Sequence, residues 1–407
     1  MQQVMDGIRV LEVAQYTFVP SAGAVLADWG ADVIKVEHPT KGDGQRGLLQ
    51  VGGQANTGAI NFLMEHSNRG KRSIGIDLAN EQGRALLYEI AKTSDVFLTN
   101  YLPGVRRKLG IEVEDLRAVN PKIIYARGSA HGEKGPERER GGYDSTDYWA
   151  RSGSGMGGRA ASDAPSMPPG PAYGDSLGGM TIAGGISAAL FARERTGEPS
   201  IVDISLLGTG LWAMGAALTA SMLASDEGGE GAASPAGAAY MNPLVGLFRT
   251  REGGSLMLTM LQGHHYWADT VEQLGRPELA RDPRFATPQA FSDNANEARQ
   301  ILSEIFATAT LEEWRTRLQS MKGQWGPFQT VAQIPGDPQV DANGHIIEIE
   351  VAPGQSFRVV ANPVQFDETP PTLRKGPEHA QHTEEFLMDF GLDWDEISRL
   401  KKAGIIN

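Results

Sequence analysis

Apolar and polar positions follow two rhythms along the first 130 residues. Ile8–Val13 (IRVLEV), Asp32–Glu37 (DVIKVE), Ser73–Leu78, Val96–Thr99 and Lys122–Ala126 (KIIYA) are short and mostly apolar, as strands buried on both faces are. Between them lie stretches of helical pattern: Ser21–Trp29, which is rich in alanine, Glu81–Lys92, and a segment around Val113–Val119. Gly30 sits where a glycine closes a helix, Pro103-Gly104 reads as a turn, and Pro121 precedes a strand. Strands alternating with helices imply right-handed crossovers and a parallel sheet covered on both faces. The pattern therefore predicts an α/β fold.

The rhythm breaks at residues 131–172, which are rich in Gly, Pro and charge and read as long loops. A Gly/Ala-rich helix is predicted from about Ser176 to Arg195, a strand at Ser200–Ile204, and a small-residue helix ending near Ser225. Asp226–Ala238 (DEGGEGAASPAGA) has linker composition. Asn242–Ile334 reads as a second domain. It has a hairpin (Leu247–Arg249, then Leu256–Met260) followed by short helices. Phe357–Phe366 returns to strand character, and the chain closes in amphipathic helices. If that late strand rejoins the first sheet, the middle region is an insertion. The expected division is 1–225 for the first part of a large domain, 239–335 for a smaller α+β domain, and 336–407 for a segment returning to the large one.

Composition narrows the function. The net charge is −13 over 407 residues, which argues against a general nucleic-acid binder. No run approaches the roughly 18 uninterrupted apolar residues of a membrane helix. The N-terminus MQQVMDGIRVLEV does not read as a signal peptide, so a cytoplasmic setting is expected. The absence of cysteine excludes disulfides, thiolate metal sites and a cysteine nucleophile. No carboxylate–histidine cluster indicates a metal, and the adjacent pair His264-His265 cannot share one face.

Candidate motifs sort by whether their mechanism has a structural setting. Gly153–Gly158 matches G-x-G-x-x-G, but the Pro-rich APSMPPGP follows it where a helix is required, so a dinucleotide site is not read there. Three basic clusters, Arg69/Lys71/Arg72, Arg106/Arg107/Lys108 and Arg138/Arg140, lie beside predicted strands or in the loops after them and point to a bound polyanion. Asp175 precedes the helix LGGMTIAGGISAALFARER, where an aspartate is a good N-cap. Gly174 and Gly178-Gly179 leave room around its carboxylate. Free N–H groups at a helix start can also stabilise an anion developing on a substrate carbonyl.

Several segments together resemble the class III CoA-transferase family, which includes the formyl-CoA and carnitine CoA-transferases and the alpha-methylacyl-CoA racemases. They are DGIRVLEVAQYTFVPSAGAVLADWGADVIKVEHP, SNRGKRSIGIDL, DVFLTNYLPGVRRKLG, GEKGPERERGGYD, YGDSLGGM, RTGEPSIVDISLL and YMNPLVGLFRTREGG, in family order over most of the chain. The resemblance implies a Rossmann-like, CoA-binding large domain with a smaller one, and two chains threaded into an interlocked homodimer. It implies coenzyme A as cosubstrate with no tightly bound cofactor.

By this resemblance Asp175 matches the catalytic aspartate. With an ordinary pKa near 3.9 it is expected to be an anionic nucleophile at neutral pH. It would attack an acyl-CoA thioester to form an aspartyl anhydride and then an aspartyl-CoA thioester, and a free carboxylic acid would receive the CoA. Asn100 and Tyr101 match residues flanking the nucleotide, and Lys108 a basic residue near its phosphates. Val105 and Ile76 match apolar contacts to the adenosine, and Tyr16, Thr17 and Phe18 the loop near the pantetheine. His38 stands where relatives often have Arg. Gly141 stands where some have a basic residue, with Arg140 as its neighbouring substitute. Tyr143 and Asp144 lie in the segment that reads G-H-D in racemases; tyrosine is a poor proton shuttle at neutral pH, so transfer is favoured over racemisation. An acyl-CoA racemase or epimerase using Asp175, and a non-catalytic acyl-CoA-binding protein, are the alternatives. Tyr148-Trp149-Ala150-Arg151 is a candidate lining of the acyl pocket, with Arg151 on an acceptor carboxylate. Gly253-Gly254 is what is left of a glycine-rich loop.

Overall fold

The computed structural model describes residues 3–56, 60–156, 165–226, 242–352 and 354–407. Most of the predicted linker 226–238 and the end of the Gly153–Gly158 motif lie outside these residues. The chain forms two compact units, Met1–Ala233 with Asp341–Asn407, and Ser234–Val340.

The first unit is built on a six-stranded sheet of β1 (Arg9–Val13), β2 (Asp32–Glu37), β3 (Arg72–Gly75), β4 (Val96–Thr99), β5 (Ile124–Ser129) and β6 (Ile201–Ser205). Every pairing is parallel, in the spatial order 3-2-1-4-5-6. That is the doubly wound order, in which the strand order reverses between β1 and β4. Up to residue 226 the helices of this unit are α1 (Phe18–Asp28), α2 (Phe62–Asn68), α3 (Glu81–Lys92), α4 (Pro103–Leu109), α5 (Val113–Val119), α6 (Tyr173–Thr196), α7 (Leu206–Ala213) and α8 (Gly215–Asp226); Thr383–Asp389 and Trp394–Lys402 add two more at the C-terminus.

Successive strand residues face opposite layers, so each strand feeds two cores. Leu11, Val13, Ile34, Val36, Phe97 and Tyr125 pack with α3 and α5. Val10, Val33, Val96, Leu98, Ile124 and Ala126 pack with α1 and α6. Two glycines allow α1 and α6 to approach closely: a β-carbon at Gly178 would lie 2.3 Å from the Phe18 ring, and one at Gly179 would lie 2.5 Å from Ser21 Cβ.

The late strand does not rejoin this sheet. Gln355–Val360 pairs antiparallel with Ile346–Ala352 as a separate two-stranded ribbon. The β3 edge is already occupied by the C-terminal segment. The Ser73 N–H donates to His382 Nδ1 at 3.1 Å, the Gly75 N–H donates to Thr383 Oγ1 at 2.9 Å, and the Ser73 carbonyl accepts the His382 N–H at 2.9 Å. An edge whose groups are already paired offers no template for another strand.

The second unit holds a three-stranded antiparallel sheet of Val245–Arg249, Ser255–Thr259 and Trp325–Pro327. Its own core includes Trp267, Phe285, Phe306 and Trp314. Gly253 and Gly254 belong to the turn joining the first two of those strands.

Candidate active site

The loops after β1 and β4 part where the sheet order reverses, and side chains tie them together. The Gln15 N–H donates to Asn100 Oδ1 at 3.0 Å, Asn100 Nδ2 donates to the Gln15 carbonyl at 2.7 Å, and Gln15 Nε2 donates to the Tyr101 hydroxyl at 2.7 Å. A pocket opens over this point, walled by Tyr16, Phe18, Asn100, Tyr101, Tyr143 and Asp175. It lies at the carboxyl ends of the strands, where doubly wound sheets bind ligands.

Asp175 enters the pocket from the first turn of α6. It is not the N-cap: that position is Ala172, in the left-handed region at φ 57°, with no side-chain cap. Asp144 does the capping from a separate segment, a π-helical stretch Asp144–Arg151. Its Oδ2 accepts the Gly174 N–H at 3.2 Å. Gly174 allows this contact, because a β-carbon there would lie 2.5 Å from the Tyr148 ring.

Two carboxylates thus share the head of one helix. Burial and then the nearby Asp144 charge push Asp175 up to about 8. Burial also raises Asp144, against the pull of its backbone donors. The sequence expectation of an ordinary, fully ionised aspartate is therefore corrected: loss of water around the carboxylate outweighs the favourable helix terminus. Burial raises the Tyr16 and Tyr101 phenols as well.

The predicted residues divide into three groups. Tyr16, Phe18, Asn100, Tyr101, Tyr143 and Asp175 line the pocket, and the Tyr16 and Tyr143 rings meet edge to face at 6.1 Å. Asp144 and Thr17 stand behind it, Thr17 Oγ1 donating to Gln45 Oε1 at 2.5 Å. Val105 and Lys108 sit on the exposed side of α4, and Lys108 makes no ion pair among the described residues. Arg140 is exposed and pairs with Glu137 at 2.8 Å. His38 braces a turn, its Nδ1 accepting the Thr40 N–H at 3.2 Å. Ile76 is only 1% exposed, inside the core, so direct contact with a ligand is not open to it.

The basic clusters need a larger correction. Arg69 is buried against Asp28 at 2.8 Å, Lys71 against Glu12 at 2.7 Å, and Arg72 pairs with Asp32 at 2.6 Å. This cluster is structural. Arg106 reaches the pocket wall but is held by Glu112 at 3.1 Å and Glu133 at 2.6 Å. Arg138 does line the pocket, next to Gly141. Arg151 is engaged by Glu137 and by His131, and Tyr148 is buried in the core beside α6.

Sequence reading missed His66. Its Nε2 lies 2.8 Å from Ser176 Oγ, one residue beyond Asp175. Burial, helped by Arg69, lowers this imidazole to about 4, so it is neutral at physiological pH. No local pattern marks it, since the two residues are 110 positions apart in the chain.

Comparison with known proteins identifies the family of the chain. The family model for CoA-transferase family III matches residues 5–383. The chain is 31% identical to an acyl-CoA transferase of Fusarium pseudograminearum, over 100% of this chain and 89% of that protein. It is 28% identical to the cinnamoyl-CoA:phenyllactate CoA-transferase of Clostridium sporogenes, over 98% and 96%. The crystal structure of Rv3272 from Mycobacterium tuberculosis superposes with a TM-score of 0.78 at 28% identity, covering 94% of this chain and 99% of that one. With the family matched over nearly its whole length, this chain belongs to CoA-transferase family III.

Proposed function

We propose that this enzyme moves coenzyme A from an acyl-CoA thioester to a free carboxylic acid, with Asp175 as the nucleophile. The observation that carries the reading is the Asp175 carboxylate on the first turn of α6, in the pocket at the sheet reversal. In its ionised form it attacks the thioester carbonyl; the C–S bond breaks, and an aspartyl anhydride and CoA thiolate result. The thiolate attacks the aspartyl carbonyl of the anhydride, releasing the donor acid and leaving an aspartyl-CoA thioester. The acceptor carboxylate displaces the thiolate to form a second anhydride. Attack of the thiolate on the acceptor acyl carbonyl then releases the new acyl-CoA and frees Asp175. No step consumes a nucleotide, because the thioester energy is kept throughout.

In this reading Tyr16, Phe18, Asn100, Tyr101 and Tyr143 receive the pantetheine and nucleotide, and Lys108, with Arg138, faces the phosphates. The reading includes an interlocked homodimer. Supporting it is an exposed apolar face on α6, α7 and α8, where Trp212 is 86%, Phe191 65% and Leu223 61% exposed. No single helix among the described residues is long and apolar enough to cross a membrane. The cytoplasm remains the proposed setting.

Incubation with acyl-CoA and then hydroxylamine tests the mechanism. Mass spectrometry should find a hydroxamate on the peptide containing Asp175, and Asp175→Ala should lose both the adduct and turnover while binding CoA within a few-fold. Substantial turnover by a folded Asp175→Ala protein would overturn it.

A further inference from the structure

We propose that Asp43 is a positioning residue for the reaction, holding Tyr16 in a left-handed backbone conformation at the pocket through a buried charge network. Tyr16 has φ 64°, a conformation in which a non-glycine residue is strained, and it stands on the pocket wall. Its N–H donates to Asp43 Oδ1 at 3.0 Å. Asp43 is itself fixed: its N–H donates to Glu37 Oε2 at 2.8 Å, its Oδ1 also accepts the Gln45 N–H at 2.9 Å, and its Oδ2 pairs with Lys35 Nζ at 2.8 Å.

The network then returns to the same loop on both sides. Lys35 Nζ donates to the Ala14 carbonyl at 2.9 Å and contacts Glu12 at 3.2 Å. Glu12 binds Lys71, whose Nζ also donates to the Pro20 carbonyl at 2.8 Å. Three points of the segment 14–20, the Ala14 carbonyl, the Tyr16 N–H and the Pro20 carbonyl, are therefore held by one set of charged groups. The side chains of Glu12, Lys35 and Lys71 are 0% exposed. Burying four charges is costly, and an apolar core would fold as well. What an apolar core does not supply is a donor or acceptor aimed at each of those three backbone groups. Gly44 completes the fit: a β-carbon there would lie 2.9 Å from the Tyr16 hydroxyl, so the ring packs over the residue next to Asp43.

This inference rests on the pocket being the CoA-transfer site, and a double-mutant cycle tests it separately from that reading. Asp43→Ala should lower kcat/KM for the acyl-CoA donor by about thirtyfold. Asp43→Asn, which keeps an acceptor for the Tyr16 N–H, should recover most of the loss. In a Tyr16→Gly background, where glycine adopts the left-handed conformation without strain and no ring is left to misplace, Asp43→Ala should cost less than about threefold. Equal losses in both backgrounds, or no loss in either, would overturn the proposal. Should Asp43→Ala not fold, the strain is read with Asp43 intact. Tyr16→Gly should then melt at a higher temperature than Tyr16→Ala, the reverse of the usual order for these residues. The usual order would overturn the proposal. Turnover by Asp175→Ala would instead show that the reading of the pocket had failed.

Discussion

Asp144 Oδ2 accepts the Gly174 N–H at 3.2 Å, so the residue that caps helix α6 also sets its own carboxylate near Asp175, the nucleophile proposed on that helix. The contact ties down the helix start that carries Asp175, and the charge of Asp144 makes Asp175 harder to ionise.

This pair predicts a shift in the pH profile. In the proposed mechanism only ionised Asp175 attacks, so kcat/KM should rise with pH along a limb near the free-enzyme pKa, raised to about 8. Asp144→Asn removes a negative charge beside Asp175, which lowers that pKa and moves the limb to lower pH. Activity at pH 6 relative to pH 8.5 should then increase. A limb that stays in place would show that burial alone sets the value.

Stability should respond with the opposite sign to most carboxylates. Between the unfolded value of 3.8 and the folded value of about 8, the folded protein holds a proton that the unfolded chain releases. The contribution is complete below pH 3.8 and is lost as pH rises through about 8. Asp175→Asn has no such loss, so its melting temperature relative to the parent should climb between pH 5 and pH 9. Each pKa unit is worth about 1.4 kcal/mol, and partial exposure brings the total to the order of 1–3 kcal/mol. A constant gap across that range would contradict the raised pKa.

Lys108→Ala should raise KM for CoA thioesters more than it lowers kcat, because the phosphate contact proposed for it would be made alike in the ground and transition states. Steady-state kinetics with one donor and one acceptor decide this. An unchanged KM would move the phosphates away from α4, with Arg138 the next residue to test.

Tyr143→Phe should retain CoA transfer within about tenfold, or about 1.4 kcal/mol of barrier. Acyl-CoA recovered from heavy water should carry no deuterium at the alpha carbon. The ring sits against Tyr16 at 6.1 Å and is 60% exposed, which suits a wall of the pocket. Rapid deuterium entry that depends on Tyr143 would favour the racemase alternative.

Much of the fold was legible because the signals are local. Val96–Thr99 and Asp32–Glu37 announce buried strands by their apolar runs, and Glu81–Lys92 announces a helix by its period. Asp175 could be singled out from its glycine neighbours and from the family resemblance of its segment. Tertiary structure decided the rest. Lys71 and Arg69 looked like ligands for a polyanion, since their partners Glu12 and Asp28 lie 59 and 41 positions away. Phe357–Phe366 looked like a strand for the main sheet, but the strand that forms, Gln355–Val360, pairs with Ile346–Ala352, and His382 and Thr383 already cover the edge. The cap on α6 came from Asp144 across a loop, and the raised pKa of Asp175 followed from its burial and then from that nearby charge. Sequence by itself determined which segments form strands and helices, because that depends on neighbours within a few residues. Which charges meet, and how much water they keep, is set by packing between distant segments, and on that the chemistry of the site depends.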